Sequence, residues 1–159
     1  MDRQQHIKLA LTEDQYKKDI TTKILQLDKK CKAIIKAKES FHIYGLKWFS
    51  DVFKSVNKST KIKLKVKDGD FVRKNKIIGE IYGTNHALLN SERVALNYLQ
   101  TMSGTYDKCI RFRKKISNKK IQLLHTRKTI PLYRLPLSEA FNAGGLSLIH
   151  ISEPTRPFH

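Results

Sequence analysis

From Lys61 to Lys67 every second residue is a lysine, and Ile62, Leu64 and Val66 fill the positions between them. Side chains of a strand alternate between its two faces, so this stretch predicts a strand with one buried face and one solvated, cationic face. Such a strand needs partners. Asp68-Gly69-Asp70 supplies the turn that follows it, and Phe71-Val72 and then Ile77 to Tyr82 resume extended structure. Upstream, Cys31 to Ala37 alternates in the same way, and Phe41 to Tyr44 is its expected hairpin partner. Several short strands with few helices between them predict an α+β domain through about Gly83.

Five other stretches read as helices. His6 to Lys18 predicts a short amphipathic helix that leads into a turn or cap at Asp19-Ile20-Thr21-Thr22. Gly45 opens a segment in which Leu46, Phe49 and Phe53 share a face, with Trp48 and Val52 beside them. A long helix is expected from His86 to Met102, its apolar stripe made by Leu89, Leu96, Leu99 and Met102 with Ala95, and its end at Ser103-Gly104. Arg93 and Asn97, four residues apart, share a face away from that stripe. A further helix over Tyr106 to Ile116 precedes the apolar run Ile121 to His125, which predicts a buried strand ending at Thr126-Arg127-Lys128-Thr129. Pro131 and Pro136 interrupt the next stretch, and a short helix over Ser138 to Ala143 is closed by Gly144-Gly145.

Composition narrows the function classes. With 40% hydrophobic residues and 9% aromatics the chain can build a packed core. No apolar run reaches the roughly 18 residues of a membrane span, and the N-terminus lacks a signal-peptide core, so a cytoplasmic protein without a membrane partner is expected. Cys31 and Cys109 have neither disulfide-framework nor zinc-site spacing and are expected to be reduced and buried, with no metal ligands. Against 14 acidic residues stand 32 basic ones, a net charge of +18, which points to an anionic partner. However, 24 of those cations are lysines spread along the chain, which a solvated coat explains as well. A basic nucleic-acid-binding module is the alternative class, but the Phe and Tyr residues fall at core periodicities instead of forming a stacking surface, so no nucleic-acid partner is expected.

The segment that carries chemistry is strand, then T-R-K-T, then loop. Ligands of α/β folds bind at the carboxyl ends of parallel strands, and an Arg-Lys pair with flanking hydroxyls placed there suits a carboxylate or phosphate. An exposed basic turn is the plainer reading of the same residues.

Read in order, the chain contains E-D (Glu13, Asp14) with D-I-T-T (Asp19 to Thr22), and D-G-D-x-V-x-K (Asp68 to Lys74). L-L-x-x-E-R-V-A-L-N-Y-L-Q-x-x-S-G (Leu88 to Gly104), T-R-K-T-x-P-x-x-R (Thr126 to Arg134) and A-x-x-A-G-G (Ala140 to Gly145) follow. This series resembles quinolinate phosphoribosyltransferase, the nicotinate-nucleotide pyrophosphorylase family. A paralogue associated with molybdenum transport shares the T-R-K-T stretch, whereas Glu92-Arg93 followed by Ala95-Leu96-Asn97 is closer to the quinolinate enzyme. The resemblance implies an α+β N-terminal domain followed by the first part of an incomplete α/β barrel, with residues 1–104 forming the N-terminal domain and 105–145 the start of the barrel. It further implies quinolinate and phosphoribosyl pyrophosphate as substrates, nicotinate mononucleotide, pyrophosphate and carbon dioxide as products, and Mg²⁺ entering with the donor. Two subunits would pack head to tail, Arg93 reaching the quinolinate carboxylates in its neighbour's site and Thr126, Arg127 and Lys128 lying along the substrate and phosphate pocket.

Departures from the pattern are local. Lys18 stands where the family usually has Gly, Thr105-Tyr106-Asp107 replaces small residues, and Leu146 replaces a third glycine. From Leu146 to Arg156 the chain resembles translated adapter sequence, so residues 146–159 are expected to be a non-native tail in which His150 and His159 have no role. A whole barrel takes about 200 residues or more. The fragment is therefore expected to be catalytically incomplete, its catalytic residues unknown.

Overall fold

The computed structural model of the protein describes residues 1–16, 29–116 and 121–148. The expected turn at Asp19 to Thr22 lies outside the described residues, as do His150 and His159. Helix α1 spans Arg3–Glu13. It starts before His6 because Asp2 caps it, accepting from the Gln5 N–H while the Gln5 side chain accepts from the Asp2 N–H at 2.8 Å each. It ends well before Lys18, with Asp14 as its C-cap and Gln15 at φ +50° just beyond.

Three strands form the main sheet, β1 (Lys30–Lys36), β3 (Lys61–Leu64) and β5 (Ile77–Thr84), in the antiparallel order β1-β5-β3. The expected hairpin between residues 31–37 and 41–44 does not form. β1 pairs instead with β5, from Lys30 opposite Thr84 to Lys36 opposite Ile77. β2 (Phe41–His42) pairs with β4 (Phe71–Val72) in a sheet of its own. The physical reason is length: eight-residue β5 offers β1 a full ladder, whereas β2 could pair only a fraction of it. β3 is shorter than the lysine alternation, because past Lys65 the Lys67 N–H turns to Asp70 Oδ2 at 2.8 Å. Gly69 takes φ +96° in that turn, a conformation open to glycine at little cost. On the solvated face, hydrogen bonds from Lys65, then Tyr82 and Lys32, hold the Glu80 carboxyl down at about 2.

Helix α2 (Leu46–Val56) buries Leu46, Trp48, Phe49, Val52 and Phe53, the face that its spacing predicts. Its N-cap Gly45 has φ +99°, and a Cβ there would lie 3.0 Å from the Met102 side chain. Helix α3 (Asn85–Lys115) is capped by Thr84, whose Oγ1 accepts from the Ala87 N–H at 3.3 Å. Its buried stripe runs through Leu88, Val94, Ala95, Tyr98, Leu99 and Met102, while Leu89 and Leu96 are only half-buried.

The expected helix end at Ser103-Gly104 is overturned, since α3 continues through both residues. A lone glycine inside a helix costs about 1 kcal/mol, and neighbouring anchors exceed that. Ser103 Oγ accepts from the Tyr44 N–H and donates to the Tyr44 carbonyl, each at 3.0 Å. One turn on, Asp107 accepts from the His42 N–H at 2.9 Å and pairs with His42 Nδ1 at 2.7 Å and Arg111 Nε at 2.6 Å. Burial raises the Asp107 carboxyl, but the His42 hydrogen bonds and the Arg111 charge outweigh it and leave the group below its ordinary range. Residue 104 thus lies in mid-helix.

The last described elements are β6 (Leu124–His125), α4 (Arg134–Ala143) and β7 (Ser147–Leu148), with β6 and β7 parallel. This strand-helix-strand unit follows the α+β layers, and among the described residues no barrel closes. The strand predicted over Ile121 to His125 is reduced to two residues, and Ile121 and Leu124 are exposed, because β7 covers only its end. Helix α4 begins four residues before Ser138 and holds Pro136 in its first turn. Proline is tolerated there because an N–H at that position has no partner within the helix. Cys109 is buried, but Cys31 is exposed on edge strand β1, contrary to expectation.

Candidate functional site

The T-R-K-T segment begins where β6 ends, so its residues sit at a parallel strand's carboxyl tip. Two local bonds bend it there. The Lys128 N–H donates to Thr126 Oγ1 at 3.2 Å, a serine-threonine type turn, and the Thr129 N–H donates to the Arg127 carbonyl at 3.0 Å. Leu132 then takes φ +63°, and the Tyr133 N–H closes the reversal onto the Ile130 carbonyl at 3.1 Å.

Between this loop and α4 lies a recess of about 70 Å³, lined by His125, Thr126, Arg127, Thr129, Arg134 and Phe141 among others. His125 is buried, its Nε2 3.1 Å from Asn142 Oδ1 and its ring stacked on Phe141 at 4.8 Å. Thr129 Oγ1 is buried and has no hydrogen-bond partner among the described residues. An orphaned hydroxyl costs roughly 1–3 kcal/mol unless something outside the chain satisfies it. Two guanidiniums with a hydroxyl between a strand tip and a helix can hold a carboxylate or a phosphate oxygen.

The A-x-x-A-G-G motif fixes the far wall. A Cβ on Gly144 would stand 2.4 Å from the Cys109 Cβ, and one on Gly145, at φ +83°, 2.3 Å from Arg113 Nη1. Gly144 lets the end of α4 approach Cys109 of α3 this closely, Gly145 takes the left-handed turn that follows, and Arg113 Nη1 donates to the Gly144 carbonyl at 3.3 Å.

Of the residues singled out in the sequence, Thr126 and Arg127 line the recess, and Lys128 is exposed beside it without lining it. Arg93 lies elsewhere, on the exposed side of α3, where its Nε is 3.0 Å from Asp14 Oδ1 and 3.3 Å from Oδ2. Thr129, one of the two hydroxyls flanking the Arg-Lys pair, lines the recess as well. Sequence reasoning missed Arg134 and His125 as lining residues. Arg134 had a signal, since it ends T-R-K-T-x-P-x-x-R; the burial of His125 is a product of packing. Among the described residues no group of three or more His, Cys, Asp or Glu could hold a metal ion. None of the helices described is long and apolar enough to cross a membrane.

The larger cavities lie elsewhere. One of about 800 Å³ sits beside α1 and is lined by Gln4, Lys8, Leu11 and Tyr16 among others. Neither it nor the recess at Phe41, Gly104 and Asp107 contains any sequence-predicted site residue.

Residues 19–103 match the family model of the quinolinate phosphoribosyl transferase N-terminal domain. Among curated proteins, the probable nicotinate-nucleotide pyrophosphorylase (carboxylating) of Bacillus subtilis is 32% identical over 127 residues, 80% of this chain and 44% of that protein. The chloroplastic nicotinate-nucleotide pyrophosphorylase of Arabidopsis thaliana is 35% identical over 143 residues, 87% of this chain and 40% of that protein. Among solved structures, NadC from Streptococcus pyogenes superposes with a TM-score of 0.84 at 31% identity, covering 91% of this chain and 53% of that one. The nicotinate-nucleotide pyrophosphorylase from Francisella tularensis gives 0.82 at 31% identity, covering 94% and 55%. The chain therefore spans about half the length of the relatives it matches. The layered α+β arrangement, the order of the motifs and the match over residues 19–103 together place this chain in the quinolinate phosphoribosyl transferase family, whose N-terminal domain it carries.

Proposed function

We propose that the complete protein converts quinolinate and phosphoribosyl pyrophosphate to nicotinate mononucleotide, pyrophosphate and carbon dioxide, in the cytoplasm. The reading rests on family membership, and the observation that carries it at residue level is the recess at the strand tip, lined by Arg127, Arg134 and Thr129, whose buried hydroxyl has no partner among the described residues. Two free thiols, Cys31 and Cys109, suit a reducing compartment.

Quinolinate brings two carboxylates, and the donor brings phosphate and pyrophosphate. A bond forms from the pyridine nitrogen to the anomeric carbon as pyrophosphate leaves; the 2-carboxylate is then lost as carbon dioxide, and the electron pair left on C2 takes up a proton from solvent. Binding and charge stabilisation by Arg and Lys serve this sequence without a proton transfer from Arg127 or Lys128. Thr126 and Arg127 take an anionic group at the strand tip, with Lys128 as a nearby point charge. Arg93, on an exposed face of α3 far along the chain from this loop, is assigned to the quinolinate carboxylates of a second copy's site, which makes the working unit at least a homodimer. Mg²⁺ would accompany the donor and neutralise charge on its pyrophosphate leaving group.

The residue-level test is calorimetric titration of quinolinate into the full-length protein. Arg93→Ala and Arg127→Ala are each expected to weaken binding by about tenfold or more. Unchanged affinity in both variants would remove these residues from the site.

A further inference from the structure

We propose that Asp14 is a positioning residue for Arg93, fixing the plane in which that guanidinium presents itself to a dicarboxylate; this rests on the role proposed above for Arg93. Asp14 closes α1 as its C-cap, its own N–H donating to the Ala10 carbonyl at 3.0 Å while the Gln15 N–H donates to the Thr12 carbonyl at 3.1 Å. The next residue, Gln15, takes φ +50°, so the chain leaves the helix axis at this point. The Asp14 carboxylate is only 21% exposed and meets Arg93 Nε through both oxygens, at 3.0 and 3.3 Å, across 79 positions of sequence.

The geometry has a chemical consequence. An arginine on an exposed helix face samples many rotamers, and 58% of this side chain is open to solvent. A carboxylate anchored at a helix end and bonded to Nε restricts that freedom and helps to set the plane of the guanidinium, whose N–H groups suit a carboxylate. Part of the ordering cost of binding is then met before the ligand arrives. An exposed ion pair contributes little to stability, so its effect should appear in ligand recognition far more than in folding.

The test is steady-state kinetics on the full-length protein with Asp14→Ala, Asp14→Asn and Asp14→Glu, each also made with Arg93→Ala. Asp14→Ala and Asp14→Asn are expected to raise the quinolinate KM roughly threefold to tenfold, leaving kcat and the KM for phosphoribosyl pyrophosphate unchanged. Asp14→Glu should recover much of the loss, and with Arg93→Ala present the Asp14 substitutions should have no further effect. The asparagine variant keeps the shape of the cap should the alanine variant fold poorly. An unchanged quinolinate KM, a fall confined to kcat, or an equal shift with Arg93 already removed would overturn the positioning role. Should Arg93→Ala alone leave the quinolinate KM untouched, it is the assignment of Arg93 to the site that fails.

Discussion

Trp48 Nε1 donates a 2.7 Å hydrogen bond to Glu139 Oε2, tying α2 of the first layer to α4 of the strand-helix-strand unit. The indole is 1% exposed and packs on Tyr98 at 4.8 Å, and Tyr98 in turn stacks on Tyr133 at 5.2 Å. The T-R-K-T loop, which ends at this junction, therefore takes its position from the N-terminal domain. Glu139→Ala is expected to destabilise the protein by about 1–3 kcal/mol by leaving a buried indole N–H unpaired. Glu139→Gln, which keeps an acceptor, should cost less. Urea unfolding of both variants measures the difference, and equal stability of alanine variant and parent would mean that the bond is not made.

The glycine pair makes a separate prediction. Gly144→Ala is expected to lose about 1–3 kcal/mol through overpacking against Cys109, and Gly145→Ala about 1–2 kcal/mol because a side chain is strained at φ +83°. Cys109→Ala keeps the Cβ that Gly144→Ala would strike and so should not relieve it. Hydrogen exchange should report the damage first in α4 amides. Full protection there in Gly144→Ala would contradict the close approach.

A pH effect follows from His6. Its ring is held below the ordinary value, first by burial and then by the N-terminal ammonium, while a hydrogen bond to the Leu132 backbone pulls the other way. On acidification the unfolded chain takes up this proton near 6.5, before the folded one does. The contribution to stability is therefore complete above pH 6.5 and is lost as the pH falls from there through the lower folded value. His6→Gln does not titrate. Its stability should change less between about pH 7.5 and about pH 5.5 than the parent's, a comparison made by urea unfolding at the two values. Identical slopes would show that the ring is not held neutral.

Much of this fold was legible in local pattern. The face of α2 followed from Leu46, Phe49 and Phe53, and the strand before T-R-K-T ends where its composition placed it. Partner choice was not legible. Nothing in Cys31 to Ala37 distinguishes a neighbouring hairpin strand from β5 more than forty residues on; only the length of the available ladder decides. Gly104 misled because propensity is a weak prior, overridden by the Ser103 and Asp107 anchors to residues some sixty positions away. At the strand tip, the T-R-K-T run marked Thr126, Arg127 and Thr129, which line the recess, and Lys128, which does not. Arg134 was written in the motif without a place, and His125 gained its position only when α4 folded back over the strand tip.

The central claim is that these residues serve phosphoribosyl transfer to a pyridine dicarboxylate. Its most direct test supplies the full-length protein with quinolinate labelled in the 2-carboxylate, phosphoribosyl pyrophosphate and Mg²⁺, and follows labelled carbon dioxide and nicotinate mononucleotide together. The account predicts that the two appear in equal amounts, that omission of the donor abolishes both, and that Arg127→Ala lowers the rate by about tenfold or more. A folded, full-length protein that releases neither product would contradict it and would favour the paralogue associated with molybdenum transport.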